Sequence, residues 1–332
     1  MKVLFIGGTG NISESVSRLA LSQGIDLHLL NRGKRGVSIP DAKTVTADIN
    51  DAAAVRSALG KTTYDAVVNW IAFTPTEVER DIALFAGRTA QYIFISSASV
   101  YQKPTTSYLI TESTPLANPY WEYSRNKIAC EERLMAEYRA NGFPFTTVRP
   151  SLTYGARLIP LAINSWGKSY TIVERIRRGA EIIVPGDGTS LWTITHADDF
   201  AQGLVGLLGH HQAIGHSFHI TSDEVLSWDQ YYTEVGRAIG VEPKIIHLTS
   251  DFIKHFAPWE EGSLQGDKAS STVFDNSKIK RFVPGFNAQV TWAEGVRRSM
   301  AWFEAVPGRI EIDAEAEALW DRMIAAYSKS FD

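Results

Sequence analysis

The chain has 332 residues, enough to bury a large core, and 33 lysines and arginines against 37 aspartates and glutamates leave a net charge of −4. That balance supplies no global basic field, which argues against nucleic acid as the partner and for a small molecule. A single cysteine, Cys130, excludes an internal disulfide framework, and no apolar run is long enough for a secretory or membrane segment, so the expected setting is the cytoplasm.

The stretch "KVLFIGG" is a short continuous apolar run, the mark of a strand buried on both faces of a parallel sheet. In "SESVSRLALSQG", Val16, Leu19 and Ala20 fall at helical spacing and Gly24 stands where a C-terminal cap belongs. "IDLHLLNRG", "KTVTADI", "YDAVVNWIA" and "AQYIFISSASVY" read as strands two to five, and "DAAAVRSALG" and "TEVERDIALFAG" as helices between them. The alternation predicts an α/β fold, a Rossmann-type doubly wound parallel sheet. Ligands in such sheets sit at the carboxyl ends of strands, here Gly7 to Ser13, Asn31 to Arg35, Asp48, Ala72 to Thr74 and Ser96 to Tyr101.

Past "FPFTTVRPSLTYG" the composition turns to Trp, Tyr and Arg, which suggests a lobe laid over the sheet. The expected division is a dinucleotide-binding domain at 1–155 and 190–222, a smaller α/β substrate lobe at 156–189 and 223–310, and a C-terminal helix at 311–332. In that last helix Leu319, Met323 and Tyr327 share a stripe.

The loop "GGTGNIS" follows a buried strand and precedes a helix, the context that a dinucleotide cradle requires. Gly7 permits the tight turn, Gly10 lets backbone approach a pyrophosphate, and the helix N-terminus supplies amides. The third glycine of the motif is replaced by Ser13, a small residue whose hydroxyl suits a helix start. Gly7, Thr9, Gly10, Asn11 and Ile12 are therefore cofactor candidates. After strand two, Asn31-Arg32-Gly33-Lys34-Arg35 offers cations where an acidic residue would hold an unphosphorylated ribose. This edge favours NADP(H) over NAD(H), although Asn31 can bond a 2′-hydroxyl and a plain solvated basic loop reads almost as well. Asp48 and Ile49, after strand three, are candidates to contact adenine, although an aspartate at a strand end is also an ordinary turn former. Ala72 and Pro150, at strand ends, complete the cofactor candidates.

The sharpest chemical signal is "PYWEYSRNKIACEERLMAEY", in which Tyr123 and Lys127 stand four apart and project from one helix face. A neighbouring ammonium and an oxidised nicotinamide favour the phenolate of such a tyrosine. Ser97, at the end of strand five, can hold a substrate oxygen beside it.

The ordered set of glycine-rich loop, Asp48, "FISSASVY", Tyr123-x-x-x-Lys127, "VRPSLTYG" and "GDGTSLWTITHADD" resembles the extended short-chain dehydrogenase/reductases, the NAD-dependent epimerase/dehydratase group. The resemblance covers residue 1 to about 305. It implies Tyr123 as base or acid, Lys127 on the nicotinamide ribose and Ser97 orienting the reacting oxygen. Where family dehydratases carry an acidic pair after that serine, this chain has Ala98 and Ser99, so elimination of water by that route is not expected. Many nucleotide-sugar enzymes grip the diphosphate with an arginine just after the "GDG" turn, whereas Trp192 stands here. The implied substrate is therefore carbohydrate-like but without a diphosphate, contacted by Ser97, Ser99, Trp192 and His196. The short span between Ala72 and Ile93 leaves room for one helix, which leaves monomer and homodimer both open. That span and the "NRGK" edge look most like the branch that includes chloroplast stem-loop RNA-binding proteins. An RNA-associated protein with little catalysis is accordingly the rival expectation.

Other candidates have plainer readings. His210, His211, His216 and His219 lie in a helix-to-strand turn without completing ligands, so no metal site is expected. His196 either reaches the substrate or fills a strand end. Asp198 and Asp199 suit a helix cap. Trp166, Tyr170 and Trp192 line either a carbohydrate site or the core.

Overall fold

The structure is a computed structural model that describes residues 1–33 and 37–329. Lys34 and Arg35 lie outside the described residues.

The first half alternates as its apolar periodicity predicts. Strand β1 (Lys2–Ile6) leads to α1 (Ser13–Ser22), β2 (Asp26–Asn31), β3 (Lys43–Thr46), α2 (Ala52–Leu59), β4 (Ala66–Asn69), α3 (Pro75–Phe85) and β5 (Tyr92–Ile95). After the short β6 (Leu109–Ile110) come the long α4 (Glu122–Asn141), β7 (Phe145–Pro150) and β8 (Leu152–Tyr154). The chain then forms α5 (Thr171–Arg177), β9 (Glu181–Pro185), β10 (Leu191–Trp192), β11 (Ile194–His196), α6 (Ala197–Leu207) and β12 (Ser217–Ile220). It closes with β13 (Leu226–Ser227), α7 (Trp228–Ile239), β14 (Lys244–Leu248), α8 (Ser250–Phe256), α9 (Glu260–Ser263), a π-helical turn Leu264–Lys268, β15 (Val273–Phe274), α10 (Ser277–Phe282), α11 (Trp292–Glu304) and α12 (Ala314–Ser328).

Seven strands form one sheet in the order β3-β2-β1-β4-β5-β7-β12, with every pair parallel. Alternate residues of β1 serve opposite faces. Val3 and Phe5 join Val16 and Ala20 of α1 and Phe200 and Leu204 of α6, whereas Leu4 and Ile6 join Val55, Val78, Phe85 and Leu134 from α2, α3 and α4. All four β1 residues are fully buried, which explains the unbroken apolar run, because a strand covered by helices on both faces has no polar side to display. The strand order reverses direction between β1 and β4, and the loop after β1 opens into that crevice.

A third cluster belongs to the lobe and gathers Trp192, Trp228, Tyr231, Tyr232, Trp292 and Trp320 with apolar residues of β9, α5 and α8. Here β9 and β14 pair in parallel and β10 and β13 antiparallel. The strand β14, "KIIHL", escapes sequence reading because its partner β9 is distant in the chain and its residues are half-exposed. In α12 the buried residues are Trp320, Met323 and Ile324, with Leu319 and Tyr327 flanking them, so the stripe centres slightly off the expected one. Tyr170 is core, its hydroxyl bonded to Glu304 and Arg177. Between Ala72 and Ile93 the chain forms α3 alone. Among the described residues no helix is long and apolar enough to cross a membrane.

Candidate active site

The loop after β1 turns through Gly7, whose φ of +97° is a conformation that side-chain-bearing residues rarely adopt. A Cβ there would stand 2.9 Å from Ile71 Cγ2. Ser13 starts α1 and accepts the Gly10 N–H at 2.8 Å, while Ser17 donates to the Gly8 carbonyl. The serine in place of glycine thus braces the loop from inside and is itself buried.

Beside the loop lies a cavity of about 370 Å³ lined by Gly7, Thr9, Asn31, Arg32, Asp48 and Ile49, with Gly33, Val37, Ile71 and Glu77 at its margins. Asn31 accepts the Gly33 N–H at 2.9 Å, and Arg32 reaches to 3.9 Å from Asp48 with its guanidinium otherwise open to solvent. Bare backbone at Gly7 facing Ile71, amides at the start of α1 and a polar rim at the end of β2 fit a dinucleotide. The structure does not bring every cofactor candidate into this cavity. Asn11 turns away, its carboxamide oxygen accepting the Gly155 N–H at 3.2 Å. Ile12 packs into the sheet core, Ala72 is buried, and Pro150 belongs to the neighbouring cavity.

That second cavity, of about 390 Å³, lies between the sheet and the lobe. Its lining holds Ser97, Ser99, Trp121, Tyr123, Pro150, Ser151, Trp166, Trp192, Ser263, Asp267 and Lys268. Ser97 and Tyr123 are thus brought into one cavity lining, as the sequence expects. Burial pushes the Tyr123 phenol up to about 12, Asp267 adds to the rise, and the Ser97 hydroxyl opposes it.

Lys127 projects from the same face of α4 but donates to the carbonyls of Ala72 at 2.6 Å and Ile95 at 2.8 Å. Its ammonium sits 4.5 Å from the Phe73 ring centre and 5.8 Å from that of Tyr123. Burial holds the Lys127 ammonium down to about 8. The lysine stands next to the tyrosine, and burial is the largest influence on the phenol's proton affinity.

Ser99 lines the cavity, yet its hydroxyl is engaged by Ser97 and Ser124. Trp192 edges the cavity as a buried ring, stacked on Trp228 at 6.0 Å and faced by Lys103 at 5.6 Å. Trp166, 42% exposed, and Trp121 also line the cavity, with the Lys268 ammonium over their rings at 5.5 and 5.9 Å. His196 is not brought to this cavity. It caps α6, accepting the Asp198 N–H at 3.2 Å, and borders a separate hollow with Asn11 and Arg157. Of the two acids expected to cap, Asp199 instead accepts the N–H groups of Gln289 and Val290. The histidines of the 210–219 turn go to different partners: His210 and His216 to the Phe282 ring, His219 to Tyr101 and the Asp275 carbonyl. Trp121, Asp267 and Lys268 were not singled out in the sequence. Only Trp121, two residues before Tyr123, carried a signal there.

Residues 3–221 match the model of the NAD dependent epimerase/dehydratase family. The chain belongs to that family. Among its curated relatives, chloroplast stem-loop binding protein of 41 kDa b from Arabidopsis thaliana is 26% identical over 74% of this chain and 65% of its own length. UDP-glucose 4-epimerase from Lactobacillus helveticus is 30% identical over 84% of this chain and 90% of its own. The chain thus spans less than two thirds of the first of these relatives. Among solved structures, UDP-glucuronic acid 4-epimerase from Bacillus cereus, in complex with UDP-glucuronic acid and NAD, superposes with a TM-score of 0.72 over 92% of this chain and 99% of that one, at 16% identity. Pal from Bacillus thuringiensis does so with a TM-score of 0.73 over 92% and 99%, at 20% identity. These likenesses place the fold among the extended epimerases and dehydratases.

Proposed function

We propose that the chain is an NAD(P)-dependent oxidoreductase or epimerase acting on a secondary hydroxyl of a sugar-like substrate that carries no nucleoside diphosphate. The observation that carries this reading is the second cavity, where Ser97 and Tyr123 share a lining with the indoles of Trp121 and Trp166, one lysine, one aspartate and no arginine among the described residues. Indole faces suit the apolar face of a pyranose. A diphosphate asks for bidentate cations, and the lysine present already has Asp267 beside it at 3.5 Å.

In this reading Ser97 and Tyr123 hold the substrate hydroxyl, and Tyr123 takes its proton. Gly7, Thr9, Asn31, Arg32, Asp48 and Ile49 would hold the dinucleotide, which would supply the hydride acceptor for the carbinol carbon. Lys127, anchored by two carbonyls, is the residue that would meet the nicotinamide ribose in this reading. The open Arg32 guanidinium favours NADP(H), because a 2′-phosphate gives it a partner closer than Asp48.

The test pairs turnover with binding. Tyr123→Phe should lower oxidation of a methyl glycoside by about 10²–10⁴-fold while NADP(H) affinity, measured by fluorescence titration, stays as in wild type. Unchanged turnover removes the catalytic assignment. UDP-glucose binding more tightly than methyl glucoside removes the diphosphate-free one. The stem-loop-binding relative supports a second reading, RNA association, which predicts that Tyr123→Phe leaves RNA retention on a filter unchanged and that no glycoside is turned over.

A further inference from the structure

Resting on the reading of Tyr123 as the proton-exchanging group, we propose that Ser124 and Ser99 are positioning residues, a buried chain of hydroxyls that turns the Ser97 proton toward the Tyr123 oxygen. Ser124 Oγ donates to Ser99 Oγ at 2.7 Å, and Ser99 Oγ lies 2.9 Å from Ser97 Oγ. The Ser99 backbone N–H also donates to Ser97 Oγ, at 3.2 Å. Ser124 is fully buried and Ser99 nearly so.

A hydroxyl has one proton and two lone pairs, so the direction of such a chain can be counted. Ser124 gives its proton to Ser99. The Ser99 proton then points to Ser97 Oγ, which receives a second donor from the Ser99 N–H. With both lone pairs filled, Ser97 has only its proton left to place, and the Tyr123 phenol shares its cavity lining. Without Ser124 the pair Ser99 and Ser97 can run in either direction, and in the reversed one Ser97 donates away from the tyrosine.

The local fold holds this order. Ser124 follows Tyr123 in the first turn of α4, where a serine can otherwise bond back to its own helix. Asn118 ties that helix start to the loop after β5, donating to the Ser99 carbonyl at 2.8 Å and accepting the N–H groups of Tyr120 and Trp121. The charged groups facing the phenol are Lys127 on its own helix and Asp267 and Lys268 from the π-helical turn. All three remain in the variants below.

The experiment is a pH titration of the full chain labelled with ¹³Cζ-tyrosine, in the presence of NAD, with Tyr123→Phe identifying the resonance. Ser124→Ala should raise the Tyr123 midpoint by about half to one pH unit, the value of one neutral hydrogen bond. Ser124→Thr should restore it. Ser99→Ala interrupts the same chain, so Ser124→Ala added to it should change nothing further. A wild-type midpoint in Ser124→Ala, or additive shifts in the double variant, overturns the proposal. The midpoint belongs to the protein rather than to turnover, so it is readable even if the oxidoreductase reading fails.

Discussion

Tyr123 and Lys127 sit four residues apart, and burial drives their proton affinities in opposite directions: the phenol up to about 12 from 10.0, the ammonium down to about 8 from 10.5. A buried cation resists its charge, and the two carbonyls that receive Lys127 offset only part of that cost. Between pH 8 and 10.5 the unfolded chain holds a proton on Lys127 that the folded chain has released, so this residue makes stability rise with pH in that window. Tyr123 acts with the opposite sign and only above pH 10, where the folded chain keeps a proton the unfolded one has lost. Wild type should therefore gain about 2 kcal/mol on Lys127→Met between pH 7 and 9.5, read from urea midpoints at both values. The carbonyls orphaned by the substitution do not titrate and drop out of that comparison. A pH-independent difference would mean that Lys127 is not desolvated as described.

The two ends of α1 show how one glycine can be more tolerant of substitution than another. Gly24 ends α1 with φ of +74° and open space around it, whereas Gly7 combines φ of +97° with Ile71 at 2.9 Å from an added Cβ. Gly24→Ala should cost about 1 kcal/mol of left-handed strain and leave NAD binding intact. Gly7→Ala should cost at least as much in stability and weaken NAD binding tenfold or more, roughly the 1.4 kcal/mol that a distorted cradle forfeits. Thermal melts with fluorescence titration separate the two effects, and equal NAD affinity in both variants would count against the loop as the cradle. Ser13 shows why the missing third glycine is tolerated: its hydroxyl takes up the Gly10 amide.

At the scale of the molecule, the sheet and the lobe each have a core of their own, and the second cavity lies between them. Helix α12 belongs to the lobe: Met323 and Trp320 are buried in its cluster, and Arg175 of α5 pairs with Asp321. Met323→Ala should cost about 2–5 kcal/mol in chemical denaturation, with NAD affinity unchanged because the cofactor cavity lies on the sheet. A parallel loss of NAD affinity would show that the two cores are energetically one.

What the sequence by itself determined follows from locality. The central strands β1, β4 and β5 announce themselves because they are buried on both faces, and Gly7, Ser97, Tyr123 and Lys127 are legible because each sits in a short motif whose spacing sets its direction on one strand end or one helix face. Asp267, Lys268 and Trp166 carry no such pattern, and neither does the pairing of β14 with β9, since these depend on which segments the lobe folds against the sheet. Only the tertiary structure placed His196 away from the substrate cavity, turned Trp192 into a stacked core ring and linked Ser124 through Ser99 to Ser97. Those outcomes are decided by close packing and hydrogen-bond direction between segments far apart in the chain, which periodicity does not encode.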